Sequence, residues 1–206
     1  TEAQPERDPD SHYDIPAYRD VVYDESAAHK ARGCSIDISH AAEGYFAASG
    51  SSEKRLKVQV LRNDNTYNYD LPNDGTVCFY PFQSGNGNYI IRVMENVEDN
   101  RYSEICRATV EVKLTSEFEP FLHSCYLINY SKESECVRYA RELAEDSADA
   151  IDFIGKVYQY VVRNISYDKK KARTVQSGYV PDPDEIMQIK KGICFDYAAL
   201  AASMLR

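Results

Sequence analysis

Cys194 lies in the segment Lys191-Gly192-Ile193-Cys194-Phe195-Asp196-Tyr197-Ala198-Ala199-Leu200, two residues past a glycine that breaks the preceding element. From there the apolar residues Cys194, Tyr197, Ala198, Ala201, Met204 and Leu205 recur at helical spacing. The thiol is thus placed in the first turn of a helix. Unpaired backbone N–H groups and the positive end of the helix dipole favour a thiolate there. A thiolate is what nucleophilic catalysis at a carbonyl requires. Such chemistry also needs a base, usually histidine, and His12, His29, His40 and His123 all precede Cys194. His123, in Phe121-Leu122-His123-Ser124-Cys125, reads as a hydrogen-bonded or surface residue of a connector rather than a base. The alternative for Cys194 is a buried structural thiol near a helix start.

Composition narrows the field. Over 206 residues, 24 basic side chains face 33 acidic ones, for a net charge of −9. Most of the excess sits near the start, where Glu2, Glu6, Asp8, Asp10, Asp14, Asp20, Asp24 and Glu25 meet only Arg7 and Arg19. An acidic chain without a basic stripe argues against nucleic acid as a partner. No stretch is long and apolar enough to span a membrane. Cysteines 34, 78, 106, 125, 136 and 194 form no close-spaced pairs, so neither a metal site nor a cofactor is expected. Cys78 and Cys106 fall on separate predicted strands, where either a bridge or two buried thiols would fit.

Three regions must position the cysteine. Residues 1–28, rich in Asp, Glu and Pro, read as a disordered tail or linker. Residues 29–118 carry period-two alternation in Leu56–Val60, Tyr67–Leu71 and Ala108–Leu114, and Cys34–Ile38, Thr76–Phe82 and Tyr89–Met94 add further strands. Pro72-Asn73-Asp74-Gly75 and Ser84-Gly85-Asn86-Gly87-Asn88 are turn sequences between them. Roughly seven short strands punctuated in this way predict an all-β, immunoglobulin-like sandwich. Residues 119–206 switch to helical period. One helix is predicted from about Ser134 to Glu145, with Val137, Ala140, Leu143 and Ala144 on its inner face. A second runs from Ala150 to Asn164, N-capped by Asp149, with Ile151, Ile154, Val157, Tyr158, Val161 and Ile165 as its core stripe. A loop containing Lys169-Lys170-Lys171-Ala172-Arg173, read as solvated, leads to a short helix over Glu185–Lys190 and then to Gly192. The fold class expected is α+β, strands first and helices after.

The helical part resembles the transglutaminase-like superfamily. Three pieces carry the likeness, in order: Tyr158–Asp168, ending in the pair Tyr167-Asp168; Gly178-Tyr179-Val180-Pro181-Asp182; and Gly192-Ile193-Cys194-Phe195-Asp196-Tyr197-Ala198. The resemblance implies a papain-like thiol enzyme of bacterial type in which Cys194 attacks an amide carbonyl and its own N–H contributes to the oxyanion hole. It also implies a downstream His, then an Asp or Asn, to move the proton and orient the ring. The family carries both on strands after the cysteine helix and neither has a counterpart here, so residues 119–206 are expected to be the first part of such a domain, inactive alone and completed by a C-terminal fragment. The helix from Cys194 should then expose Tyr197, Ala201 and Met204. Tyr167 and Tyr179 are candidates for lining the cleft or assisting the oxyanion hole, and Asp196 is read as complementing the helix dipole.

By that likeness the function expected is acyl transfer or hydrolysis at amide bonds of proteins or cell-wall peptides, through a Cys194 thioester, at a cell surface or outside the cell. The alternative is a non-catalytic surface or adhesion protein that binds through its sandwich and uses the helical part as a scaffold.

Overall fold

The computed structural model describes residues 12–206. The architecture is α+β, with antiparallel sheets followed by helices. The chain divides into two compact units, Val21–Tyr126 and Leu127–Arg206 together with the segment up to Asp20.

In the first unit, strands β1 (His29–Ala31), β2 (Cys34–Asp37), β3 (Tyr45–Gly50) and β6 (Cys78–Pro81) form one antiparallel sheet in the order β1-β2-β3-β6. Strands β4 (Leu56–Arg62), β5 (Asn65–Leu71), β7 (Gly87–Glu98) and β8 (Arg101–Val112) form the other, in the order β5-β4-β7-β8. Alternation sets the faces. Leu56, Val58 and Val60 of β4 turn inward and pack with Phe46, Tyr80, Tyr89, Ile91 and Val93 of both sheets in one core. Sequence periodicity did not reveal β3, because Tyr45-Phe46-Ala47-Ala48 is buried on both faces and carries no polar alternation. The sheets are consistent with the expected sandwich. Cys78 and Cys106 are free buried thiols rather than a bridge, and burial raises the pKa of both. Residues 119–126, counted above with the helices, pack on the strands: the Tyr126 N–H donates to the Phe79 carbonyl at 2.7 Å. His123 is buried in this unit, its ring 5.0 Å from that of Tyr45.

The second unit holds α1 (Glu135–Glu145), α2 (Ala150–Asn164), α3 (Lys171–Thr174), α4 (Pro183–Ile189) and α5 (Cys194–Leu205). A two-stranded parallel ribbon, β9 (Ser166–Tyr167) and β10 (Lys191–Gly192), completes it. Acidic caps set the starts of three helices. Asp149 accepts from the Asp152 N–H at 2.7 Å and opens α2. Asp182 accepts from the N–H groups of Asp184 and Glu185 and opens α4. Asp184 reaches across to α1, where its two oxygens accept from Glu135 and Cys136, each at 2.9 Å. The Pro181–Asp184 stretch therefore ties helix to helix, and α4 begins earlier than predicted.

Two expectations about buried faces need correction. The inner stripe of α2 is Phe153, Val157 and Val161, continued by Ile165, whereas Ile151, Ile154, Tyr158 and Val162 are exposed. The helix is apolar on two sides, and only packing against α1 and α5 selects one. Conversely, α5 does not present its apolar face to solvent: Met204 is buried, and Tyr197 and Ala201 pack against the same core. The tail is corrected as well. Residues 1–11 lie outside the described residues, but beyond them Tyr13, Ile15 and Tyr18 pack on the helical core. The Tyr13 N–H donates to the Ser147 carbonyl at 3.0 Å, and its ring stacks on Phe153 at 5.4 Å. An acidic composition hid three apolar residues spaced to lie along a groove.

Replacing Asp184 by Ala removes the acceptor for two first-turn donors of α1. The expected cost is about 1–2 kcal/mol, read as an earlier loss of helical circular dichroism in urea.

Candidate active site

The cysteine is positioned by backbone pairing before any side chain acts. Lys190, at φ 53°, ends α4 in the left-handed conformation and turns the chain into β10. There Lys191 and Gly192 pair in parallel with Ser166 and Tyr167 of β9. The Ser166 N–H donates to the Lys190 carbonyl at 2.9 Å, and the Asp168 N–H to the Gly192 carbonyl at 2.8 Å. Two stretches some 25 residues apart along the chain thus lie side by side. From the end of α5's first turn, the Tyr197 hydroxyl donates to the Ile165 carbonyl at 2.6 Å and clips the helix to the end of α2.

Asp168 then builds the next turn. Its carboxylate accepts from the N–H groups of Lys170 at 2.9 Å and Lys171 at 2.8 Å, and these bonds, led by that from Lys171, hold its pKa below the usual carboxylate value. The turn opens α3 and directs Lys171 inward. Its ammonium lies 2.8 Å from Asp196 Oδ2 and donates to the Tyr179 hydroxyl at 2.6 Å. Tyr179 in turn donates to Asp196 Oδ1 at 2.6 Å. Asp196 is fully buried, and its Oδ2 also accepts from the Ile193 N–H at 2.7 Å. Ile193, the residue preceding α5, has no side-chain acceptor to cap the helix. The Asp196 carboxylate therefore supplies the side-chain half of the cap by itself.

Gly192 is required by close approach. A Cβ there would stand 2.5 Å from the Asp196 Cβ. Cys194 is the first residue of α5 and is exposed, and among the described residues no hydrogen bond reaches its thiol.

Of the residues singled out from sequence, Tyr179 joins the Asp196 cluster, with its hydroxyl engaged there. Tyr167 sits on β9 opposite Gly192, its ring 54% exposed. The Lys169–Arg173 run is not uniformly solvated, because Lys171 is held inward while its neighbours face water. Sequence reasoning missed Lys171, since nothing in a basic run marks one lysine as paired. It undervalued Asp196, although an acid in the third position of a helix whose preceding residue cannot cap was a readable sign. Among the described residues, no group of three His, Cys, Asp or Glu side chains is placed to hold a metal ion. No helix among them is long and apolar enough to cross a membrane.

Residues 135–206, from the start of α1 through α5, match the family described as a transglutaminase-like domain. Within the chain, 57 residues are 35% identical to the UPF0252 protein MJ1282 of Methanocaldococcus jannaschii, a stretch covering 25% of this chain and 16% of that protein. The chain therefore spans only a small part of that relative's length. No solved structure matches it. The transglutaminase-like resemblance holds for the helical unit, and the strands lie outside the matched residues.

Burial works to lower the Lys171 pKa, but the bonds to Asp196 and Tyr179 outweigh it and the net shift is upward from 10.5. Tyr179 is also raised from 10.0, first by burial and then by Asp196. Both groups hold their protons more tightly when folded. Their stabilisation is complete below those ordinary values and is lost as pH rises through the raised ones. Alkaline titration of the helical signal should show this loss, and Lys171→Met should reduce the Lys171 share of it. Gly192→Ala is expected to cost about 1–3 kcal/mol in urea denaturation, because the new methyl meets a side-chain root that cannot swing away.

Proposed function

We propose that the helical unit is a thiol acyl-transfer domain with Cys194 as its nucleophile. The observation that carries this reading is an exposed cysteine at the first position of a locked helix, inside the transglutaminase-like match. Cys194 Sγ attacks the carbonyl carbon of an amide, either a glutamine side chain or a peptide bond of a protein or cell-wall peptide. The Cys194 N–H, a first-turn donor without a helical partner, faces the developing oxyanion. The C–S bond forms, the C–N bond breaks, and the amine departs with a proton from a general acid. Water or a second amine then attacks the thioester carbonyl and releases the thiol. The group that moves the proton is proposed to come from polypeptide beyond this segment, in keeping with the family's His and Asp or Asn. Tyr167, beside Gly192, is suited to lining the approach to the thiol.

The other cysteines make the test selective: Cys34, Cys78, Cys106 and Cys136 are buried and Cys125 is partly so. Under brief treatment with iodoacetamide, intact mass spectrometry should find one adduct, mapping to Cys194 and absent from Cys194→Ala. Residues 1–206 alone should release no ammonia from a glutamine peptide, because thiol attack without proton transfer to the leaving group is slow by about 100-fold or more. A thiol that reacts only after unfolding would favour the non-catalytic scaffold. Turnover that survives Cys194→Ala would end the nucleophile assignment.

A further inference from the structure

We infer that Lys171 and Asp196 form a charge-compensated positioning pair for the Cys194 thiol, with Lys171 cancelling a buried negative charge that would otherwise oppose the thiolate. The inference rests on the reading of Cys194 as nucleophile. The Asp196 carboxylate is fully buried two residues from Cys194 and accepts from Lys171, Tyr179 and the Ile193 N–H. That last bond fixes the backbone just before the cysteine, which orients both Sγ and the Cys194 N–H. A carboxylate at this place has an electrostatic consequence, however. Its charge acts on a neighbouring thiolate against the positive end of the helix, and like charges at short range disfavour each other. An isolated buried carboxylate is also costly.

The Lys171 ammonium, 2.8 Å away and itself largely shielded, resolves both problems. It balances the Asp196 carboxylate and keeps it anchored, leaving the helix start without net negative charge. Tyr179 bridges the pair, accepting from the Lys171 ammonium and donating to the Asp196 carboxylate. The other charges at this end are Asp168 and Lys191 on the β9–β10 side, which attract each other and lie nearer solvent. The core side chains packed on α5 from α1, α2 and α4 include the apolar Ala140, Val157 and Ile186, and the charged Arg141 of α1 lines a groove with Met204 and Leu205, at the end of α5 remote from Cys194. Lys171 is thus the cation placed directly on the Asp196 carboxylate.

Alkylation of Cys194 by iodoacetamide, with folding followed by circular dichroism, separates this role from a merely structural one. Lys171→Met should slow the reaction about ten-fold at about pH 7 and leave it much closer to wild type at about pH 10, because alkali favours the reactive thiolate form of a thiol whatever its neighbours. Lys171→Arg keeps the charge and should stay within about three-fold of wild type. Asp196→Asn should react faster than wild type near neutrality, because its amide oxygen can still accept from the Ile193 N–H while the opposing charge is gone. The double variant Lys171→Met/Asp196→Asn, neutral at both positions, should return to within about three-fold of wild type. A structural role alone would make the double variant as slow as Lys171→Met, or slower, and would slow Asp196→Asn as well. Either result overturns the inference, as does a Lys171→Met rate equal to wild type or equally reduced at both pH values. If Lys171→Met does not fold, Asp196→Asn and the double variant still decide the matter by the direction of their change. The readout is thiol reactivity rather than turnover, so failure here and failure of the acyl-transfer reading are separate results.

Discussion

The helical unit depends on one carboxylate placed where water cannot reach it. Asp196 takes three donors, an ammonium, a phenol and a backbone N–H, and each belongs to a different stretch of chain. Without them the buried charge would be prohibitive. With them the carboxylate becomes the point at which α3, the loop carrying Tyr179 and the start of α5 are drawn together. Gly192 belongs to the same constraint, since only a residue without Cβ lets the backbone pass against the Asp196 side chain. The orientation of Cys194 follows from these contacts. The thiol itself is exposed, with no hydrogen bond to it among the described residues.

Around that point the unit is assembled with acids used at helix starts. Asp149, Asp168, Asp182 and Asp184 each accept from backbone N–H groups near the start of a helix, and Asp184 does so for a helix other than its own. Part of the chain's acidity is therefore structural. Short helices such as α3 and α4 have little intrinsic stability, and a fixed acceptor together with burial of Ile186 and Met187 makes α4 persist. The parallel pairing of β9 with β10 is equally brief, but it joins the end of α2 to the residues before Cys194. Two residues per strand suffice because the flanking helices are already packed.

The strand unit follows different physics. Its core rests on alternating side chains from two antiparallel sheets, with buried aromatic residues such as Phe46, Tyr80, Phe82 and Tyr89. Tyrosines bury their rings and pair their hydroxyls, as Tyr89 does with the Gly85 carbonyl at 2.7 Å and Tyr80 with the Asp70 carbonyl at 3.0 Å. Part of the chain's complement of 17 tyrosines is used here, in packing.

The sequence by itself determined the α+β order, most of the strands, the span of α2 with its Asp149 cap, and the place of Cys194 at a helix start. These are local matters: period, turn chemistry and capping depend on residues within a few positions of each other, and the chain spells them out. Tertiary structure alone decided which of the two apolar sides of α2 is buried, because Phe153 and Ile154 are equally hydrophobic neighbours until α1, α5 and Tyr13 choose between them. It alone revealed β3, buried on both faces, and the apolar contacts of Tyr13, Ile15 and Tyr18 within an acidic segment. It also singled out Lys171 from a run of similar lysines. Whether a charge is solvated or paired depends on what the fold brings within about 3 Å of it, and Lys171 and Asp196 meet only because the β9–β10 ribbon closes the long interval between them.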